Sequence, residues 1–234
     1  MSWRTKLWGR LAERRRRTGL IWCCALTAVF IAIGVLIALP AVQQFDLRVS
    51  REIQETSGAP WDQIMIFGTF IGSSPVVAGV VVLLGALLWA RNLKRIACFV
   101  LLTLISLPID FALKHLWDRA RPNSAAVHIL LPAPGSSFPS GHALCATTVY
   151  GFLAFLAWVH LPDHKGRMLF TALIAALVPY VAISRVYVGA HWLSDVLGAF
   201  TIGLLLMLAL ATFYHADPTE AVRAEQIVQS ARCT

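Results

Sequence analysis

Residues 168–213 read MLFTALIAALVPYVAISRVYVGAHWLSDVLGAFTIGLLLMLALATF. Two apolar runs, 168–187 and 192–213, each match the roughly 20 residues that an α-helix needs to cross a bilayer. The charged side chains of the stretch, Arg185 and Asp195, fall near the turn between the runs, together with His191. Ionisable groups at a membrane are costly and collect where they meet a partner, water or a ligand. The stretch therefore predicts a helical hairpin in the membrane with a polar tip.

Working outward, further apolar runs lie at 19–39, 75–90, 96–117 and 143–160. Together they predict an all-α fold, a polytopic membrane bundle of about six transmembrane helices. Composition agrees: of 234 residues, 58% are hydrophobic and 14% charged. A soluble domain carries about 25% charged residues, so a soluble helical protein is excluded. The run from Gly19 to Leu39 exceeds the roughly 7 to 15 residues of a signal-peptide core and reads as an uncleaved anchor. The second span is short; Trp61 to Ile71 (WDQIMIFGTFI) precedes it, either lengthening it or lying along the interface. Pro108 and Pro179 fall inside spans and predict kinks. The chain divides into a basic segment 1–18, a membrane domain 19–213 and a tail 214–234, where Asp217-Pro218 reads as a helix start.

Charge sets the expected orientation. Residues 1–17 hold Arg4, Lys6, Arg10, Arg14, Arg15, Arg16 and Arg17 against Glu13, a net +6. Basic residues that abut a span hold that end in the cytoplasm, and this reading displaces nucleic-acid binding. Arg91, Lys94 and Arg95, with Lys165 and Arg167, place two turns on the same side, which leaves both termini cytoplasmic. Segment 41–62 carries Asp46, Arg48, Arg51, Glu52, Glu55 and Asp62, a net −2, and falls outside. On that outer side Lys114, Arg119 and Arg121 outnumber Asp118, against the positive-inside rule, and an anionic ligand is the reason to expect. Cys23, Cys24, Cys98, Cys145 and Cys233 form no metal-ligand spacing. Neither Asn92 nor Asn123 opens a glycosylation sequon, which fits a bacterial protein; with the charge distribution, the expectation is a cytoplasmic-membrane protein whose site faces the periplasm or exterior.

Three blocks meet at the outer helix ends: Lys114 with Arg121-Pro122, Pro139-Ser140-Gly141-His142, and Ser184-Arg185 with His191 and Asp195. A phosphate ester in transition needs fixed positive donors on its peripheral oxygens, and Lys114, Arg121 and Arg185 suit that need. Ser140 and Gly141 precede a helix start, where free N–H groups attract anions and a missing Cβ admits a close approach. His191 and Asp195, four apart, would share a helix face, with the carboxylate orienting the imidazole. His191 could then attack phosphorus, and His142 could protonate the leaving oxygen. No carboxylate cluster accompanies them, so neither a metal nor another cofactor is expected. His115, His128, His160, His164 and His215 have no such company and read as structural. Asp110 reads as a partner of Lys114, and Ser184 is open between the site and packing. Trp61, Trp89, Trp117 and Trp192 read as interfacial anchors.

These blocks resemble the type 2 phosphatidic acid phosphatase superfamily, whose motifs are K-x6-RP, PSGH and SR-x5-H-x3-D. Every specified position is filled, between residues 114 and 195. The resemblance implies that His191 is the nucleophile, Asp195 its partner and His142 the acid–base group. It also implies that Lys114, Arg121, Ser140, Gly141 and Arg185 hold the phosphate. The implied substrate is a phospholipid or polyprenyl phosphate in the bilayer. Undecaprenyl diphosphate is slightly favoured over phosphatidic acid, phosphatidylglycerol phosphate and lipid A. Phosphotransfer to an acceptor lipid and transport of an anion or lipid are the competing functions. The motifs leave the preferred lipid and the oligomeric state open.

Overall fold

The computed structural model describes residues 3–161 and 164–215, with side chains from 17 to 161 and from 164 to 214. Among them the chain is all helical, running α1 (Trp3–Leu36), α2 (Pro40–Gln54), α3 (Trp61–Ile71), α4 (Ser74–Ala90), α5 (Lys94–Leu102), α6 (Ser106–Lys114), α7 (Gly141–His160), α8 (His164–Tyr187) and α9 (Leu193–His215). Five stretches are long and apolar enough to span a bilayer, and α3 with α4 makes a sixth, bent by 53°. Residues 61–71 thus belong with the second span. Gly72 forms the bend, packed so closely against Val181 that a Cβ would lie 2.3 Å from that side chain. The third span joins α5 and α6 through a 3₁₀ turn at Thr103–Ile105. Pro108 explains the turn, because its ring would clash with the carbonyl of Leu104 in a continuous α-helix. Pro179 sits within α8, which continues through it. The expected helix start at Asp217-Pro218, most of the tail and the side chains of residues 1–16 lie outside the described residues.

α7 is the centre of the bundle, packed against α8 and α9, while α1 lies against α9. Its Cys145, Ala146, Val149 and Phe152 are buried among Val77, Val81, Val100, Val181 and Tyr214. Lipid tails are as apolar as these side chains, so close fit rather than escape from water holds such helices together. Gly203 on α9 illustrates the fit: a Cβ there would lie 2.6 Å from Thr147 on α7. Lys114, Gly141, Tyr187 and Leu193, the ends of α6 to α9, gather at one end of the bundle. The Arg95 guanidinium lies 4.6 Å from the Tyr214 ring at the other end.

Segment 41–62, expected only as an outer connection, contains a helix with a polar inner face. Asp46, Ser50 and Gln54 recur every four residues on α2 and all are buried. A reading that seeks apolar faces misses such a helix. Gln54 donates to the carbonyls of His128 and Tyr187, both at 2.7 Å, and accepts from the His128 N–H at 3.0 Å. Trp117 also departs from expectation. Its ring packs edge-on against Phe30 and Phe138, and its indole donates to the Gly34 carbonyl at 3.0 Å. It fastens the loop after α6 to α1 instead of resting at the lipid surface.

Replacing Gln54 with Ala strands three backbone groups, of which the buried Tyr187 carbonyl costs about 1–3 kcal/mol when unsatisfied and the half-buried pair at His128 less. The expected outcome is a melting temperature lowered by several degrees in detergent, read by tryptophan fluorescence. An unchanged melt would show that α2 is held without this clamp.

Candidate active site

α6 ends at Lys114, and the loop 115–140 then crosses the end of the bundle to Ser140, the residue before α7. Its backbone is tied down at both sides: Ser137 N–H donates to the Arg119 carbonyl at 2.8 Å, and Ser140 N–H to the Asp195 carbonyl at 3.2 Å. The turn from α8 to α9 uses Gly189 at φ +72°, a conformation that L side chains rarely adopt. These two segments bring the three sequence blocks together. His142, on the first turn of α7, lies within electrostatic reach of Arg185, His191, Lys114 and Arg121.

His191 is not on α9, as the four-residue spacing suggested; it sits in the turn before Leu193, with Asp195 in the helix's first turn. Its Nδ1 lies 2.8 Å from the Ser137 carbonyl and 3.5 Å from Asp195 Oδ2. A carbonyl only accepts, so Nδ1 carries the proton. Nε2 lies 3.0 Å from Arg121 Nη1, which only donates, so Nε2 presents its lone pair. The carboxylate therefore shares the orienting task with a backbone carbonyl. Burial, the largest influence, pushes His191 down to about 4; Asp195 opposes the fall, and Arg185 and Arg121 add to it. The imidazole is therefore neutral at pH 7, with its Nε2 lone pair held by the Arg121 N–H.

Arg121 is fixed by more than this contact. Its guanidinium donates to the carbonyls of Pro134, Gly135, Ser136 and Ala190 at 2.8–3.2 Å. Burial lowers its pKa, and Asp195 and Asp110 resist that change. Arg185, in the last turn of α8, is buried with its Nε unpartnered, and buried Ser140 has an unpartnered Oγ. Lys114 Nζ donates to Asp110 Oδ2 at 2.8 Å, the pairing expected between them. Ser184 is turned toward packing: its hydroxyl meets Thr69 on α3 at 3.1 Å and the Val181 carbonyl at 2.7 Å.

Gly141 has a further justification beside the one read in the sequence. A Cβ there would come within 2.5 Å of Asp110 Oδ2, so the missing side chain makes room for the Asp110–Lys114 pair. The sequence reading also missed Ser137, whose carbonyl takes the His191 proton and whose hydroxyl donates to Asp195. Ser136-Ser137 beside PSGH was visible only as a polar pair. Arg119, counted there among cations for an anion, is instead paired with Asp46 and Asp195. No sequence signal links Asp46 to that pairing, because it lies far away in the chain.

The model of the PAP2 superfamily matches residues 95–218, more than half of the chain. The chain belongs to the PAP2 superfamily. Phosphatidylglycerophosphatase B of Bacillus subtilis is 31% identical over 194 residues, covering 81% of this chain and 93% of that relative. An undecaprenyl-diphosphatase of Sulfolobus acidocaldarius is 29% identical over 211 residues, covering 88% and 96%. The crystal structure of a transmembrane PAP2 type phosphatidylglycerolphosphate phosphatase from Bacillus subtilis superposes with a TM-score of 0.74 at 28% identity, over 82% of this chain and 94% of that one. The expected all-helical membrane fold is borne out, and the chain is an integral membrane phosphatase of this superfamily.

Gly141→Ala tests the Asp110 contact. The added methyl forces the Asp110 carboxylate to move and takes Lys114 with it, so phosphate release is expected to fall at least about tenfold. The melting temperature should change little. Wild-type turnover would show that the pair yields without consequence.

Proposed function

We propose that this PAP2 phosphatase hydrolyses a lipid phosphate or diphosphate through a phosphohistidine on His191. The observation that carries the reading is the aimed Nε2 lone pair of a neutral His191 beside buried, unpartnered Arg185 Nε and Ser140 Oγ. Buried donors without partners are costly unless a ligand engages them. A phosphoryl group supplies acceptors for Lys114, Arg121, Arg185, Ser140 and the N–H groups at the start of α7.

In this reading Arg121 turns its N–H from Nε2 to a phosphoryl oxygen as substrate enters. The Nε2 electron pair forms the P–N bond while the P–O bond to the lipid breaks, and His142 delivers a proton to the leaving oxygen. The ring, now positive, is stabilised by Asp195 and by its Nδ1–H bond to Ser137. His142 next takes a proton from water, whose oxygen attacks phosphorus and returns the electron pair to Nε2. Transport alone would need neither a free lone pair nor an orienting partner.

The relatives named above support two lipids first, phosphatidylglycerol phosphate and undecaprenyl diphosphate; phosphatidic acid and lipid A complete the panel. In detergent with EDTA, wild type should release phosphate from at least one of the four, and His191→Ala should lose at least about 10⁴-fold. Acid-labile radiolabel trapped on wild type alone would identify the phosphohistidine. Equal activity in the mutant would remove His191 as nucleophile, and a phosphorylated acceptor lipid without free phosphate would make the enzyme a transferase.

We also infer that the site opens at the outer, periplasmic face. Arg91, Lys94, Arg95, Lys165 and Arg167 fall at the opposite end, where the positive-inside rule assigns the cytoplasm. Asn123→Cys in the exposed outer loop should react with a membrane-impermeant maleimide in intact cells. Labelling only after lysis would invert the orientation.

A further inference from the structure

We propose that Arg119 and Asp46 are positioning residues for the Asp195–His191 pair, and that α2 is thereby part of the catalytic apparatus. The inference rests on the phosphatase reading above. Arg119 occupies an unspecified position within K-x6-RP, and Asp46 lies outside the family match at 95–218.

Asp46 and Asp195 are both wholly buried, and the Arg119 side chain between them is 10% exposed. Arg119 Nη2 donates to Asp46 Oδ2 at 2.6 Å, and Nη1 donates to Asp195 Oδ1 at 2.5 Å. Nη1 also donates to Ser194 Oγ at 2.7 Å. That hydroxyl donates in turn to Asp46 Oδ2 at 2.5 Å, and Asp46 Oδ1 accepts the Ser194 N–H at 2.9 Å. Asp46 thus caps the start of α9 from a different helix, satisfying an N–H that has no partner within α9. Its charge also suits the positive end of that helix dipole.

The same arginine acts through its backbone. Ser137 N–H donates to the Arg119 carbonyl at 2.8 Å. Ser137 then holds His191 Nδ1 through its own carbonyl and Asp195 through its hydroxyl. Both groups that orient the imidazole are therefore set by one residue. Its guanidinium is occupied by two carboxylates and a hydroxyl, which leaves phosphate binding to Arg121, Lys114 and Arg185. Lysine cannot copy the arrangement, because one ammonium lacks the planar fork that spans two carboxylates.

The test compares wild type, Arg119→Lys, Asp46→Asn and Arg121→Ala as full-length protein in detergent. Rates are scaled to the folded fraction, read by size exclusion and thermal melting. Phosphatidylglycerol phosphate and undecaprenyl diphosphate micelles are the substrates, and orthovanadate binding by calorimetry probes the phosphate site. In Arg119→Lys and Asp46→Asn, kcat should fall about 10- to 100-fold, the usual loss when an orienting partner is removed. KM and the vanadate Kd should stay within about twofold, whereas Arg121→Ala should weaken vanadate binding by at least about tenfold.

A readout independent of turnover is ¹⁵N-histidine NMR, with the His191 signals assigned from their loss in His191→Gln. The Nδ1–H resonance should shift in both variants, as the ring's partners move. Unchanged kcat, weakened vanadate binding in Arg119→Lys, or an unmoved Nδ1–H resonance would each overturn the proposal. If wild type hydrolysed neither lipid, the lipid-hydrolase reading would fail on its own, and the NMR comparison would still decide whether Arg119 and Asp46 orient His191.

Discussion

The buried carboxylate of Asp195 sets the terms for the end of the bundle that carries the candidate site. Removing a charge from water at a bilayer boundary costs several kcal/mol unless partners replace the lost hydration. Here they come from the Trp192 N–H, the Ser137 hydroxyl, Arg119 and the imidazole of His191. The carbonyl of the same residue holds the N–H of Ser140 at the entrance to α7. Satisfying one side chain therefore requires the loop 115–140, the turn before α9 and the N-terminus of α7 to meet. Those are the segments that carry the motif residues.

A second buried carboxylate, Asp46, extends this logic to α2. Apolar fit orders the middle of the bundle, where α7 packs on α8 and α9 with small residues at the closest approach. At the end that carries the candidate site the ordering is polar. Gln54 clamps backbone at His128 and Tyr187, while Asp46 reaches Ser194 and Arg119. Hydrogen bonds are directional, so they set register more sharply than interchangeable apolar contacts.

The cations divide into two groups. Arg119 is spent on holding carboxylates, while Arg121, Lys114 and Arg185 surround the two histidines. Arg121 connects the groups, since its guanidinium is pinned by four carbonyls and also touches the His191 lone pair. The four carbonyls hold the guanidinium in place, so only the N–H on Nε2 has to be redirected when a ligand arrives. Gly141 and Asp110 belong to the same economy of space, with the glycine making room for the carboxylate that pairs with Lys114.

By itself the sequence determined the helical membrane class, the approximate positions of the spans and the identity of the residues that cluster at one end of the bundle. Those properties follow from apolar run length and local spacing, which a linear chain displays directly. It carried the disturbance at Pro108 for the same local reason. The polar inner face of α2, the true setting of His191 before α9 and the contact behind Gly141 were decided only in three dimensions. So was the pairing of Arg119, legible as a positive charge but not as the partner of Asp46, 73 positions earlier, and Asp195, 76 positions later. A charge shows its sign in the sequence, but its partner is chosen by which buried groups the folded backbone brings within hydrogen-bond reach.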